Sequence, residues 1–164
     1  MEKFYQIKMA ITQALAQKYA DLIDDGCLPQ EIENFGSRND VFYTGAHALR
    51  VPRKITPETI AALFKGDEIG RIFYEEGVSV PETHGIYCPN GTPFQVLGRL
   101  NIVTLDELTH AQKAEAIRQY TIERTSAEDC GFTFTDSSPE RNYGFDPERN
   151  IGFLFDFDDC EVAA

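Results

Sequence analysis

Towards the end of the chain, Asp136, Asn142 and the triplet Asp156-Phe157-Asp158 gather carboxylates and an amide, and a carboxylate facing an amide oxygen, as Asp156 and Asn142 could, is a hard-oxygen site that suits Mg²⁺. Their spacing has a structural reading. Tyr143 to Phe145 and Ile151 to Phe155 are short, aromatic-rich apolar runs, and the turn formers Asp146, Pro147 and Asn150 lie between them, which predicts a β-hairpin. In an antiparallel hairpin the start of one strand lies beside the end of the other, so Asn142 and Asp156 are expected to meet at one edge, with facing positions ~5 Å apart.

The elements that must position this hairpin follow from periodicity and turn chemistry. Ile7, Ala10, Ile11, Ala14, Leu15 and Leu22 recur at helical spacing up to Gly26, a C′ residue, and predict an amphipathic packing helix. Asp21, Asp24 and Asp25 near its end read as a solvated patch. Alternating apolar residues on either side of Thr44-Gly45 predict strand, turn, strand. Thr56-Pro57-Glu58 starts a helix with Thr as N-cap and Pro at N1. Its pattern falters at Lys65-Gly66-Asp67, which fits one broken helix or two short ones. Ile86-Tyr87-Cys88 and Phe94-Gln95-Val96-Leu97 flank Pro89-Asn90-Gly91-Thr92 as a second hairpin. A helical region then runs from Thr104 through Ala111, Ala114, Ile117 and Tyr120 to the neighbourhood of Gly131. Gly36-Ser37, taken alone, fits a surface turn as well as a phosphate loop. His47, His84 and His110 are isolated in sequence, and each reads as a surface or satisfied histidine rather than a ligand or base.

Composition bounds the function. The 164 residues are 42% hydrophobic and 12% aromatic, enough for one domain or two small lobes sharing a cleft. A formal charge of −12, with the 15 Lys and Arg scattered, argues against nucleic-acid and anionic-membrane surfaces. Cys27, Cys88, Cys130 and Cys160 are far apart and lack zinc spacing, so reduced thiols in a cytoplasm are expected. No apolar run approaches ~20 residues, and the N-terminus has no signal-peptide form, although a bacterial effector acting in a host cytosol fits as well.

The ordered set Gly36-Ser37, Leu49-Arg50-Val51-Pro52-Arg53, Glu68, Gly98-Arg99-Leu100-Asn101, Asp136, Asn142 and Asp156-Phe157-Asp158 resembles the protein-kinase-like fold, especially its aminoglycoside and macrolide phosphotransferase branch. The resemblance implies ATP as substrate and Mg²⁺ as cofactor. It makes Gly36 and Ser37 part of the nucleotide loop and puts Arg50 at the place of the phosphate-pairing Lys, with Glu68 as its helical partner. Residues 98–101 become the hinge that packs an adenine. Asp136 becomes the residue that accepts the acceptor's proton, and Asn142, Asp156 and Asp158 become the metal ligands. Two departures stand out: Asp136 precedes Asn142 by six residues where the family has five, and Phe134 occupies the usual His or Tyr position.

The expected fold is therefore α+β, a two-lobed protein-kinase-like domain. A small antiparallel N-lobe sheet spans about residues 27–101, and a reduced helical C-lobe bearing the catalytic hairpin spans about 102–164. The resemblance implies transfer of the γ-phosphate to a hydroxyl of a protein or small molecule. Two alternatives remain: a non-catalytic pseudokinase-type module that binds nucleotide or a partner, and a plain acidic interaction protein that binds no nucleotide. Few residues follow Asp159, which leaves open a piece of a longer chain, a minimal kinase of the sort found among bacterial effectors, or a degenerate nucleotide-binding module; a protein partner that completes the reduced C-lobe is a further expectation.

Overall fold

Alternation along the strands decides which side chains meet. The computed structural model describes residues 11–28, 38–135, 142–155, 157 and 160–164. Strands β1 (Asn39–Tyr43), β2 (His47–Pro52), β3 (Thr83–Tyr87) and β4 (Phe94–Gly98) form one antiparallel sheet in the order β1-β2-β4-β3. Register places Val41 beside Arg50, Arg50 beside Gln95 and Ala48 beside Leu97. Because successive side chains point to opposite faces, these residues share one face of the sheet, and Leu49, Val51, Phe94 and Val96 share the other. Helix α1 (Gln13–Asp24), capped by the Thr12 side chain at Leu15 N, buries Ala16, Tyr19 and Ala20 against that second face. It ends at Gly26, which takes φ +66 as expected of a C′ glycine.

Helix α2 (Pro57–Glu75) is one unbroken helix of 19 residues, so the faltering pattern at Lys65-Gly66-Asp67 marks neither a break nor a second start. Thr56 caps it, Pro57 stands at its first turn and Thr59 completes the capping box, as its first three residues foretell. The helix survives Gly66 and Gly70 because its other residues hold it in place by packing: Leu63, Ile69 and Phe73 are buried with the two glycines.

The segment after β4 forms a short 3-10 turn, Leu105–Glu107, and then helix α3 (His110–Asp129), newly capped by Thr109. The predicted helical region therefore divides in two. Strand β5 (Phe132–Phe134) pairs with β8 (Cys160–Val162), a pairing not foreseen in the sequence. Between them lies the predicted hairpin, β6 (Tyr143–Asp146) and β7 (Ile151–Leu154), with Tyr143 opposite Leu154 and Asp146 opposite Ile151. Asp146 Oδ1 accepts the N–H groups of Glu148 and Arg149 at 3.0 Å each, and Asn150 takes φ +58, so the turn is built by the residues that predicted it. A second core of Ile69, Phe73, Leu105, Tyr120, Tyr143, Leu154 and Phe157 joins α2 to α3 and the hairpin. Among the described residues the whole is an α+β fold with a small four-stranded antiparallel sheet, three α-helices and two further strand pairs. Among the described residues no helix is long and apolar enough to cross a membrane.

Candidate nucleotide cleft

The face of the sheet turned away from α1 roofs a cleft of about 80 Å³. Val41, Ala48 and Leu97 form the roof, Leu100 and Ile102 line the connection out of β4, and Phe155 lines the side of the hairpin. The connection is held to the sheet by backbone: Gly98 N donates to Glu82 O at 2.8 Å and Arg99 N to Ala46 O at 3.2 Å. Arg99 also caps the β1–β2 turn through Thr44 O at 2.7 Å and stacks 5.1 Å from the Tyr43 ring. Of residues 98–101, expected to form the hinge, Gly98 and Leu100 line this cleft. Ile102 reaches the cleft over Gly144, where a Cβ would lie 3.0 Å from Ile102 Cβ and nearer still to its Cδ1. An alanine at 144 would have to push Ile102 aside. Val103 and Phe145 exchange backbone hydrogen bonds at 2.9 and 3.1 Å, tying the connection to β6.

At the inner end of the cleft lies a polar chain. Arg50 Nη1 donates to Gln95 Oε1 at 3.3 Å, and Gln95 Nε2 donates to Asp67 Oδ1 at 3.0 Å. The Thr83 hydroxyl also donates to Asp67 Oδ1, and Arg71 Nε bonds Asp67 Oδ2 at 2.9 Å. Asp67 and Gln95 are both buried, so each needs these partners.

The expected pairing of Arg50 with Glu68 does not form. Glu68 is exposed, and Asp67 is the acid that α2 turns toward the sheet. The reason is helical phase: each residue advances about 100° around the axis, and Asp67 shares the buried face of Leu63, Gly66 and Gly70, while Glu68 is turned off it. Arg50 itself lines the cleft.

Of the residues expected at the metal, Asn142 is buried at the start of β6, and its carbonyl accepts Phe155 N at 3.0 Å. The hairpin ladder therefore extends one pair beyond the strands and brings Asn142 alongside Phe155, the residue before Asp156. Asp156 and Asp158 lie outside the described residues, as do Asp136, Gly36 and Ser37. Among the described residues no group of three or more His, Cys, Asp and Glu side chains could hold a metal. Phe157 is described: it is buried, lies 3.5 Å from where a Gly70 Cβ would stand, and packs edge-on to Phe73 at 5.2 Å. The middle of the triplet is thus anchored under α2.

Helix α3 holds the hairpin from behind. Gln119 accepts Gly152 N and donates to Asn150 O, both at 2.9 Å, and Glu123 accepts Ser79 N at 2.9 Å and Ser79 Oγ at 3.0 Å. Ser79 O in turn accepts Leu154 N at 2.9 Å. Two histidines read as isolated come together: His47 and His84 meet edge-on at 5.0 Å, and Tyr19 Oη lies 2.6 Å from His47 Nδ1. Burial, and then the neighbouring His84, push the His47 pKa below its ordinary value. His84 sits at the bulge of β3, between Thr83 and Gly85, a register shift with no signal in the sequence other than Gly85.

No protein-family model and no curated protein matches the sequence. Solved structures do match. The 2.2 Å crystal structure of WbdD aligns with a TM-score of 0.63 at 15% identity, over 83% of this chain and 33% of that one. The Rio2 kinase–ADP/Mg²⁺–phosphoaspartate complex from Chaetomium thermophilum aligns with a TM-score of 0.59 at 14% identity, over 90% of this chain and 52% of that one. The fold is kinase-like. WbdD in complex with the kinase inhibitor LY294002 gives a TM-score of 0.55 at 16% identity, over 78% and 32%. This chain therefore spans about a third to a half of the length of the kinase-like chains it matches.

Proposed function

We propose that the chain is an ATP- and Mg²⁺-dependent phosphotransferase that moves the γ-phosphate to a hydroxyl of a protein or a small molecule. The observation that carries this reading is the cleft: an apolar slot under one sheet face, with a cation, Arg50, held at its inner end by Gln95. A flat heterocycle suits the slot between Ala48, Leu97 and Ile102, and a guanidinium beside it suits phosphate oxygens. The kinase-like fold of the neighbours supports the same reading.

In this reading Gly36 and Ser37 cover the phosphates, and Arg50 neutralises them. The donor set of the Asn142 amide oxygen and the Asp156 and Asp158 carboxylates is all hard oxygen, which fits Mg²⁺ and not a thiophilic metal. When bound, that ion supplies charge neutralisation at the phosphates. Asp136 orients the acceptor hydroxyl and takes its proton as the oxygen attacks the γ-phosphorus. The β,γ bridging bond then breaks and ADP leaves with the electron pair. Most of the rate comes from positioning and electrostatics. The protein or small-molecule acceptor, a protein partner that completes the second lobe, and action in a cytoplasm belong to this proposal.

A thermal melt with Mg-ATP tests it. A ligand at ~100 times its dissociation constant stabilises the fold by about 2.7 kcal/mol. Asp156→Asn should keep the fold and lose the Mg²⁺-dependent part of that shift. Asp136→Ala should keep it and lose about 10²- to 10⁴-fold in transfer of labelled γ-phosphate to the chain itself, a lysate or small hydroxyl compounds. An unmoved melt with millimolar Mg-ATP refutes nucleotide binding; a moved melt with no transfer to any acceptor leaves a pseudokinase.

A further inference from the structure

Gln95 is the least expected member of the cleft. It is 2% exposed in the middle of a strand whose neighbours Phe94 and Val96 are core residues, and a buried amide survives there only if its donors and acceptor are used. Its two ends face groups of opposite kind. Arg50 has donors and no acceptor, and an ionised Asp67 has acceptors and no donor. A single orientation of the amide therefore satisfies both: oxygen to Arg50 Nη1, nitrogen to Asp67 Oδ1. The amide dipole then lies along the line from cation to anion, where each hydrogen bond strengthens the next. Thr83 and Arg71 fix the other side of Asp67, so the carboxylate is set in place from α2 and β3 together.

We propose that Gln95 is a positioning residue for phosphate: its amide carries the charge of Asp67 on α2 to Arg50 and holds the guanidinium toward the phosphates of a bound nucleotide. The inference rests on the nucleotide-binding reading above and adds to it one contact that holds the cation, an amide relay from Asp67. Gln95 touches no reacting atom. It acts only through Arg50, so its effect belongs to the phosphates and not to the base.

That separation gives the test. The full chain is titrated calorimetrically with ADP and with adenosine, both in EDTA so that no metal shares the load. In Gln95→Leu the relay is cut while the strand stays apolar and filled. ADP should weaken about 10-fold or more, the effect of losing a hydrogen bond to a charged group, while adenosine stays within about twofold. Asp67→Asn, which keeps shape and removes charge, should move ADP in the same selective way and covers the case in which Gln95→Leu does not fold. The double change Asp67→Asn/Gln95→Glu exchanges the carboxylate and the amide, restoring one charge and one bridge, and should bring ADP back to within about threefold of the parent. Equal weakening of ADP and adenosine, or ADP unchanged in the single variants, overturns the role of Gln95 and leaves nucleotide binding standing. A parent chain that binds neither ligand overturns the nucleotide reading, and the relay falls with it.

Discussion

Gly152→Ala is the sharpest single test of how the hairpin is built. Gly152 stands opposite Phe145 on β7, and the Tyr143 ring lies across it: a Cβ there would be 2.6 Å from Tyr143 Cε1 and closer still to Cζ and Oη. Carbon contacts are comfortable at about 3.5–4.0 Å, so the ring has to retreat by roughly 1.5 Å or more. It has nowhere to go, because Tyr143 is fully buried and packs edge-on to Tyr120 at 5.3 Å. Overpacking of this kind costs about 1–3 kcal/mol, and a clash between a strand Cβ and an immovable ring belongs at the upper end. At about 2–4 °C per kcal/mol for a chain of this size, the melting temperature should fall by about 6–12 °C. Asn142 precedes Tyr143 directly, so the same strain should weaken any Mg²⁺-dependent ligand stabilisation. The assay is a urea and a thermal melt of Gly152→Ala, Tyr143→Leu and the double variant. With the ring gone, the alanine should cost under about 1 kcal/mol, a coupling of roughly 2 kcal/mol. A Gly152→Ala melt within 2 °C of the parent, or strictly additive losses, would refute the packing argument.

Gly70→Ala should raise the melting temperature by up to about 4 °C, since a helix-interior glycine costs up to ~1 kcal/mol against alanine and the new Cβ meets Phe157 at an ordinary 3.5 Å; a lowered melt would mean that Phe157 leaves no room for a methyl group on α2. His47 supplies a pH dependence. Its folded-state pKa is depressed, so the unfolded chain binds the proton more readily, and the stability it contributes is present above the ordinary value of about 6.5 and lost as pH falls below it. Melts between pH 8 and pH 5 should show a decline that His47→Gln flattens, and superimposable curves would clear the His47–His84 pair of any part in it.

Much of the fold is legible because local chemistry and tertiary packing agree. Asp146, Pro147 and Asn150 form the turn between β6 and β7, Thr56-Pro57 starts α2, and Gly26 ends α1 with a positive φ. Where they disagree, sequence reading fails in a definite direction. Lys65-Gly66-Asp67 looks like a helix break because glycine is a poor helix former, yet Gly66 and Gly70 lie on the buried face of α2, where packing by Leu63, Ile69 and Phe73 carries the helix through them. The β5–β8 pair joins segments about 28 residues apart, and nothing in three-residue strands announces a partner at that distance.

The Asp67–Glu68 exchange is the more instructive case, because both readings use the same helix and differ by one residue. The resemblance, which asks for a helical Glu, lands on Glu68, whereas phase counted from Leu63 and Phe73 turns Asp67 inward and Glu68 outward. The shorter side chain then has a consequence for the cation. An Asp reaches one methylene less far than a Glu, and the space between it and Arg50 is filled by the amide of Gln95. Gln95 carries a signal of its own in the sequence: Phe94, Gln95, Val96 and Leu97 alternate, so a lone amide on the face of Leu97 is either solvated or part of a buried polar group. At 2% exposure it is the second. An inward aspartate and a buried glutamine on the strand opposite the cation are therefore two halves of one feature. In the sequence they lie 28 residues apart; the register of β2 with β4 sets Gln95 beside Arg50, and the packing of α2 against the sheet brings Asp67 to Gln95.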